Sequence, residues 1–433
     1  MAPSFSSLLA TGLIASQVAL ALPTSPTESS ADAFSSAPGT WSAKQARDVG
    51  YSLDGIASLA EIYSKYGVLM PQDLQDALNR NQKRGVISTP SLPVGTCGSK
   101  FALATKIGLI EPKIYNLVVD TAFHGLWVHS PETANPKALQ ASYTYNVFSM
   151  GFPLKEYHWE TKDPNGNTAS GFGYTERVSI SGLTIKEQLI QVAETVPSGF
   201  HDLPSVSGVI GMGIPNSDSM SFYPDYGIVR NARHQLDKQL FTVDMKHCST
   251  GEVEFGYFDE NTFGDLVGYS EVDSSQGYWN FTSHILGGVD VDDDDFDESL
   301  INDERLEYVV ADTASDLLML PLKYVEEYYG KVENAKYNKE HAGYVFPCVS
   351  QLPDFIFLSD GSSVGIPGRY LKLNQVDEEA DFCFGALQPS DELGVNVFGS
   401  PAFKSALVVF DLHSYQIGWG SKDLVDEEYG WAN

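Results

Sequence analysis

Two stretches of the chain decide its fold: Leu117-Val118-Val119-Asp120-Thr121-Ala122 and Tyr308-Val309-Val310-Ala311-Asp312-Thr313-Ala314. In each of them an apolar run, typical of a buried strand, ends in Asp-Thr-Ala. A second apolar cluster follows each motif, first Leu126-Trp127-Val128 and then Leu317-Leu318-Met319-Leu320-Pro321. The motifs lie 192 residues apart in similar surroundings, which indicates that the chain contains two homologous halves.

Each half supplies one aspartate to a shared site. A single aspartate after a strand is more often a turn residue or a helix cap. Two carboxylates that face each other at hydrogen-bond distance cannot both ionise, so they share a proton. One then acts as a general base on a water molecule and the other as a general acid toward a carbonyl oxygen. We therefore expect Asp120 and Asp312 to carry the chemistry.

Composition excludes several classes of function. The 433 residues include 57 Asp and Glu against 27 Lys and Arg, a formal net charge of −30. Binding to nucleic acid or to an anionic membrane needs cations that neutralise phosphate, so neither partner is expected. The chain has no Cys/His cluster at metal-binding spacing, and we expect neither a metal nor a cofactor. The acidic run between Val289 and Glu304, which includes Asp292, is interpreted as a solvated loop.

The N-terminal part has the pattern of segments that are removed later. Residues 1–21 contain no charged side chain apart from the chain terminus, are largely apolar and end in Ala19-Leu20-Ala21, as a secretory signal peptide does. Residues 22–84 are interpreted as a propeptide that is helical from about Ser42 onward and ends in the dibasic pair Lys83-Arg84. We expect an N-terminal β lobe with the interlobe strands over 85–285 and a C-terminal β lobe over 286–433.

These motifs make the chain similar to pepsin-family aspartic proteases, nearest the fungal penicillopepsin-like branch. The resemblance runs from about Lys100 to Lys422, and Lys65-Tyr66-Gly67 resembles an element of fungal propeptides. Further matching stretches are Val209-Ile210-Gly211-Met212-Gly213, Phe241-Thr242-Val243-Asp244-Met245-Lys246-His247, Ser275-Gln276-Gly277-Tyr278-Trp279, Gly343-Tyr344-Val345-Phe346-Pro347-Cys348 and Asn396-Val397-Phe398-Gly399. The resemblance implies a mainly β, bilobal fold whose cleft binds an extended peptide. Thr121 and Thr313 are then supporting residues.

Two covalent features are expected. Cys348 and Cys383 form the better disulfide candidate, and the resemblance places the C-terminal-lobe disulfide of the family on them. Whether Cys97 pairs with Cys248 stays open. Asn280 begins an Asn-Phe-Thr sequon and is a candidate glycosylation site.

The chain departs from the family motif beside both aspartates. Alanines at 122 and 314 replace the expected glycines, and a Cβ there is expected to disturb the close approach of the backbone to the carboxylates. Phe123 replaces the hydroxyl residue that is expected to bond the first aspartate, and this loss is expected to raise the pKa of Asp120. Ser315 keeps the corresponding hydroxyl beside Asp312.

The flap hairpin also departs from the family. Aligning Trp159 and the Ala-Ser-Gly that follows it places Asp163, Pro164, Asn165 and Gly166 where Tyr-Gly-Asp-Gly is expected. The tyrosine that closes over substrate and bonds the counterpart of Trp127 is therefore replaced. Proline in place of glycine removes one N–H and stiffens the hairpin tip.

Three functions remain open at this point. The first is an acidic endopeptidase, secreted or vacuolar and monomeric, that is made as a zymogen and acts on extended peptides. A propeptide cation such as Lys65 would then hold the dyad shut until acid breaks the pair. The second is an impaired or repurposed cleft that binds a peptide or small molecule, including use in secondary metabolism. The third is a structural or inhibitor-binding wall protein.

Overall fold

The computed structural model describes residues 39–47, 54–84, 100–131, 133, 145, 151–162, 164–196, 206–214, 227–247, 249–289, 305–377 and 381–424. The predicted signal peptide, Cys97, Cys248, Asp163 and the acidic residues from 290 to 304 lie outside these residues. Among the described residues, no helix is both long and apolar enough to cross a membrane.

The described chain is mainly β. Its strands are β1 Trp41–Arg47, β2 Phe101–Ile107, β3 Lys113–Asp120, β4 Leu126–His129, β5 Phe152–Lys162, β6 Thr168–Ile180, β7 Leu183–Thr195, β8 Gly208–Gly211, β9 Leu240–Asp244, β10 Glu252–Phe255, β11 Val267–Glu271, β12 Asn280–Val289, β13 Arg305–Ala311, β14 Leu318–Leu320, β15 Lys336–Asn338, β16 Gly343–Pro347, β17 Asp354–Ser359, β18 Ser362–Ile366, β19 Lys372–Asp377, β20 Phe382–Gly385, β21 Leu387–Pro389, β22 Asn396–Phe398, β23 Ala406–Asp411 and β24 Gln416–Ser421. The helices are α1 Gly55–Lys65, α2 Gln72–Arg84, α3 Ile228–Ala232, α4 Glu260–Phe263, α5 Leu322–Tyr329 and α6 Ser400–Ser405, with single 3₁₀ turns at Arg233–Gln235, Gly264–Leu266, Ser274–Gln276 and Gly368–Leu371.

The strands form three sheets. The largest has the order β11-β24-β23-β9-β10-β1-β2-β3-β8-β4-β7-β6-β5, and the others have the orders β18-β17-β12-β13-β22-β14-β21 and β15-β16-β20-β19. This arrangement is the bilobal pepsin-like fold that the resemblance implied. The C-terminal strands β23 and β24 join β9 and β10 in the large sheet, so the end of the chain links the two lobes.

The internal repeat predicted from the sequence is present in the sheet topology. In the first half, β3 runs parallel to β8, and β4 lies antiparallel to β8 and parallel to β7. In the second half, β13, β22, β14 and β21 have the same relations in the same order. Each Asp-Thr-Ala motif therefore lies at the end of the equivalent strand in its half, β3 in the first half and β13 in the second.

The predicted helical segment before Arg84 is confirmed in part. The helices α1 and α2 form, and the apolar positions Ile56, Leu59 and Ile62 of α1 are buried in the main core. Residues 41–47, however, form the strand β1, which pairs with both β10 and β2, so the helical prediction is wrong there. Backbone pairing with strands distant in sequence overrides the weak local pattern.

The covalent predictions have different outcomes. The disulfide between Cys348 and Cys383 is present, with Cα atoms 4.9 Å apart, and it links β20 to the residue after β16. Asn280, by contrast, is 4% exposed and begins β12, where it pairs with Val310. The Asn280 side chain is thus nearly inaccessible in the folded chain, and glycosylation at Asn280 stays a prediction.

Candidate active site

The two aspartates end equivalent strands and are brought together at the centre of the molecule. Asp120 is the last residue of β3, and Asp312 directly follows β13. The residues are 7% and 0% exposed. A single nitrogen, Nζ of Lys65, lies 2.8 Å from Oδ1 of Asp120 and 2.7 Å from Oδ1 of Asp312. Both carboxylates therefore converge on one point.

The motif threonines fix this arrangement through reciprocal hydrogen bonds across the two halves. The N–H of Thr121 donates to Oγ1 of Thr313 at 3.1 Å, and the N–H of Thr313 donates to Oγ1 of Thr121 at 3.0 Å. Each hydroxyl donates to a carbonyl of the opposite strand, at Ala311 and Val119 respectively. Because all four groups are buried and paired, a relative shift of the two loops would break several hydrogen bonds together.

Two glycines close the loops that carry the aspartates. The N–H of Gly211 donates to the Gly125 carbonyl at 2.7 Å, and a Cβ on Gly211 would lie 2.5 Å from that oxygen. A Cβ on Gly399, at the equivalent place in the second half, would lie 2.3 Å from the Leu317 carbonyl. Glycine at these two positions therefore allows the close backbone packing that positions the loops carrying the aspartates.

The alanines at the motif's third position keep the backbone hydrogen bonds to the carboxylates. The N–H of Ala122 donates to Oδ1 of Asp120 at 2.9 Å, and the N–H of Ala314 donates to Oδ1 of Asp312 at 3.0 Å. Neither alanine has a positive φ, so the left-handed conformation that requires glycine is not used here. The expected disturbance by the two Cβ atoms does not break these bonds.

The hydroxyl groups near the aspartates differ from the expectation. Oγ of Ser315 donates to the Leu317 carbonyl at 3.3 Å and therefore not to Asp312. Oδ2 of Asp312 instead accepts from the Tyr66 hydroxyl at 3.0 Å. Phe123 packs against an apolar cluster that includes Trp127 and Ala314. Position 123 therefore makes apolar contacts instead of the hydrogen bond that was expected to the first aspartate.

The residues that block the aspartates come from the C-terminal end of α1. Nζ of Lys65 also lies 2.8 Å from Oδ2 of Asp312. The aromatic ring of Tyr66 is 1% exposed and packs edge-on against Tyr278, with ring centroids 5.6 Å apart. This segment therefore occupies the position between the two carboxylates where a reacting group would have to sit.

The charges in the site are buried and interact among three groups, Lys65, Asp120 and Asp312. Burial raises the pKa of Asp120 and the Asp312 carboxylate raises it further, while the Lys65 ammonium lowers it. Burial disfavours the charge on Lys65, but the two carboxylates outweigh this and raise its pKa. The pKa of Asp120 shifts upward as expected from the sequence, with burial as the first cause rather than the missing hydroxyl.

The tip of the flap holds the chain just after α1. Oδ1 of Asn165 accepts from the Met70 N–H at 2.7 Å, and Nδ2 of Asn165 donates to the Val68 carbonyl at 2.8 Å. Nδ2 of Asn167 donates to the Ser64 hydroxyl at 2.9 Å. A single amide side chain thus binds the backbone on both sides of Leu69. Such pairing suits an extended peptide, in which a carbonyl and the second following N–H point the same way.

Comparison with known proteins places this geometry in a family. The family model described as eukaryotic aspartyl protease matches residues 101–422. The chain belongs to the eukaryotic aspartyl protease family. Endothiapepsin of Cryphonectria parasitica is 32% identical over 86% of this chain and 88% of its own. Podosporapepsin of Podospora anserina is 32% identical, with coverage of 84% and 86%. Penicillopepsin-1 of Penicillium rubens is 30% identical, also with coverage of 84% and 86%.

Two charged residues of this aspartyl protease escaped the sequence analysis. Lys100 is 3% exposed, and its Nζ donates to the Ala314 carbonyl at 2.5 Å. Asp316 is 2% exposed and accepts from the Ser58 hydroxyl at 2.9 Å. Asp316 lies two residues after the second Asp-Thr-Ala. A charged side chain at that position was the signal that the sequence offered.

Proposed function

We propose that this aspartyl protease is a secreted acidic endopeptidase that is made as a zymogen. The observation that carries the proposal is the convergence of Asp120 and Asp312 on the single ammonium of Lys65. Two buried carboxylates that both lie within hydrogen-bond distance of one atom can bind a water molecule at that point. They can also bind the two oxygens of a tetrahedral intermediate there. The relatives named above support a peptidase class.

The proposed reaction uses the two carboxylates as one acid–base unit. One carboxylate accepts a proton from water as the water oxygen bonds to the amide carbon, and the other donates its proton to the carbonyl oxygen. The diol intermediate then loses a proton to the second carboxylate, the first carboxylate gives the proton that it took from water to the amide nitrogen, and the C–N bond breaks. The Ala122 N–H lowers the pKa of Asp120 by bonding its charged form, and the Ala314 N–H holds the Asp312 carboxylate in place.

We propose that residues 22–84 are a propeptide whose docking weakens in acid. Lys65 lowers the pKa of Asp120 relative to the same buried site without the ammonium. Protonation of a carboxylate removes its ion pair with the Lys65 ammonium, and we propose that acid weakens docking in this way. Cleavage after Arg84 would make the release permanent.

Secretion is proposed from the N-terminal leader at residues 1–21. The leader would direct the chain into the secretory pathway, toward the extracellular space or the vacuole. The acidic composition suits a low-pH environment, because protonation of carboxylates reduces their mutual repulsion. We propose that the protein acts as a monomer on extended peptides, about six to eight residues long in the cleft by analogy with the family.

The decisive experiment is cleavage of a mixed peptide library by acid-treated, purified protein between pH 3 and pH 6. The matched control carries Asp120→Asn and Asp312→Asn, which keep the side-chain size and remove the shared proton. Cleavage by the unsubstituted protein alone would support an active endopeptidase. A lack of cleavage, in folded protein shown by mass spectrometry to lack residues 22–84, would refute it and favour a cleft that only binds ligands.

A further inference from the structure

A charged cluster lies on the floor of the cleft beneath α1, beside the aspartates. Oε2 of Glu61 lies 3.0 Å from Nζ of Lys100, and Oε1 of Glu61 lies 3.1 Å from it. Oδ2 of Asp316 lies 3.9 Å from the same nitrogen. The Lys100 side chain is 3% exposed, whereas that of Glu61 is 33% exposed. The lysine is therefore buried in the part of the chain that follows residue 84, and the glutamate of α1 covers it.

The cluster lies close to the site of bond cleavage. Nζ of Lys100 donates to the Ala314 carbonyl, and Ala314 itself donates to Asp312. Glu61 precedes Lys65 by four residues of α1, which corresponds to about 6 Å along a helix. An extended peptide covers about 3.3 Å per residue, so this distance corresponds to about two residues of substrate. A substrate in the cleft would thus place one side chain over Lys100.

We infer that Lys100 forms an acidic-side-chain subsite in the mature enzyme, about two residues from the scissile bond. This inference rests on the proposed endopeptidase function and adds the substrate class. The docked Glu61 shows that a carboxylate bonds this ammonium through both oxygens without displacing the Ala314 contact. Once residues 22–84 are removed, a glutamate or aspartate of the substrate can take the same place. A charge-assisted hydrogen bond of this kind discriminates strongly against the neutral amide.

The size and pH dependence of the preference follow from the chemistry. A hydrogen bond between charged groups corresponds to about 10- to 100-fold in binding or in kcat/KM. The carboxylates of Glu61, from α1, and of Asp316, from the loop before β14, lie within 3.9 Å of Nζ of Lys100. In the mature enzyme only Asp316 of these two remains. The preference requires an ionised substrate carboxylate, whose ordinary pKa in a peptide is about 4.3.

The experiment compares peptide pairs that differ only by Glu or Gln at one position, scanned through three residues on each side of the scissile bond. At one position we expect kcat/KM for the Glu peptide to exceed that for the Gln peptide about 10- to 100-fold at pH 6. This ratio should fall toward one at pH 3. The Gln peptide corrects for the pH dependence of catalysis itself. Equal rates at every position and pH would overturn the inference.

Substitutions assign the preference to Lys100. The Lys100→Met enzyme should lose the Glu preference, and Lys100→Arg should retain it. Lys106→Met, which changes an exposed lysine on β2, is the matched control. Asp316→Asn should strengthen the preference, because it removes the carboxylate that competes for the ammonium. A Glu preference that survives in Lys100→Met would overturn the inference.

The failure of the proposed function is distinguishable from the failure of this inference. If no peptide is cleaved, the endopeptidase proposal fails, and the same peptide pairs are then compared by calorimetric binding to protein freed of residues 22–84. Tighter binding of one Glu peptide, lost in Lys100→Met, would still support the subsite. Cleavage without any Glu preference would leave the endopeptidase proposal intact and remove the subsite.

Discussion

Replacing Lys65 by methionine in the full chain tests whether one ammonium group keeps the cleft closed. Methionine fills a similar volume and removes the charge that bonds both Asp120 and Asp312. We expect the segment containing α1 to leave the cleft at neutral pH, where the unsubstituted chain keeps it docked. The reason is that the two carboxylates then face an apolar group, and their ionised forms are stabilised only when the segment departs.

The magnitude follows from the burial of the pair. The side chains of Lys65, Asp120 and Asp312 are 20%, 10% and 0% exposed, so solvent screens their interaction poorly. Removal of one partner from a buried ion pair destabilises a structure by about 3–5 kcal/mol. Because about 1.4 kcal/mol corresponds to a factor of ten in an equilibrium constant, exchange of the α1 amides at pH 7 should be faster by about two to three orders of magnitude. The difference should shrink as the pH falls, because protonation removes the unpaired charges.

Hydrogen exchange of the α1 amides, followed by mass spectrometry from pH 3 to pH 8, measures docking without requiring catalysis. The rates are corrected for the intrinsic dependence of exchange on pH, and gels confirm that the chain is intact at each time point. Lys44→Met is the matched control, because Lys44 is an exposed lysine on β1 of the same N-terminal segment. Exchange of the α1 amides at pH 7 that is no faster in Lys65→Met than in Lys44→Met would refute the reasoning.

Two further substitutions test the flap and the altered motifs. Asn165→Leu removes two hydrogen bonds to the docked segment, about 1–3 kcal/mol in total, and should raise the release midpoint by about 1–2 pH units; the same exchange measurement checks it, and an unchanged midpoint would show that the bonds contribute nothing. The double change Ala122→Gly and Ala314→Gly should alter kcat/KM on library peptides by less than about tenfold, because alanine already keeps both N–H bonds at an ordinary φ. A hundredfold gain would show instead that the alanine Cβ atoms obstruct the chemistry.

The sequence was informative where a pattern is repeated or local. The two Asp-Thr-Ala stretches predicted both the duplicated topology and the meeting of Asp120 and Asp312, because each follows the same buried strand. The helix α1 was visible from its apolar spacing. Its lysine was expected to pair with the dyad only through the family resemblance, since nothing local links position 65 to the aspartates.

The features that were missed depend on contacts distant in sequence. The strand β1 forms because β10 and β2 offer edges to it, and no local pattern reports such edges. Asn280 matches a glycosylation sequon, but its burial in β12 becomes visible only once β12 pairs with β13. Lys100 and Asp316 are 216 positions apart and meet because the two motif loops meet.

The altered motif and the altered flap have different consequences for function. The alanines keep the contact expected of the motif glycine, because its N–H contacts the carboxylate and alanine supplies the same N–H without a positive φ. The flap loses an N–H at Pro164, yet Asn165 binds a carbonyl and an N–H of the opposing backbone. An amide offers both a donor and an acceptor at every pH, whereas a carboxylate offers a donor only when protonated. We therefore expect Asn165 to bond the backbone of an extended peptide equally well in acidic and neutral solution, whereas a carboxylate at this position would not.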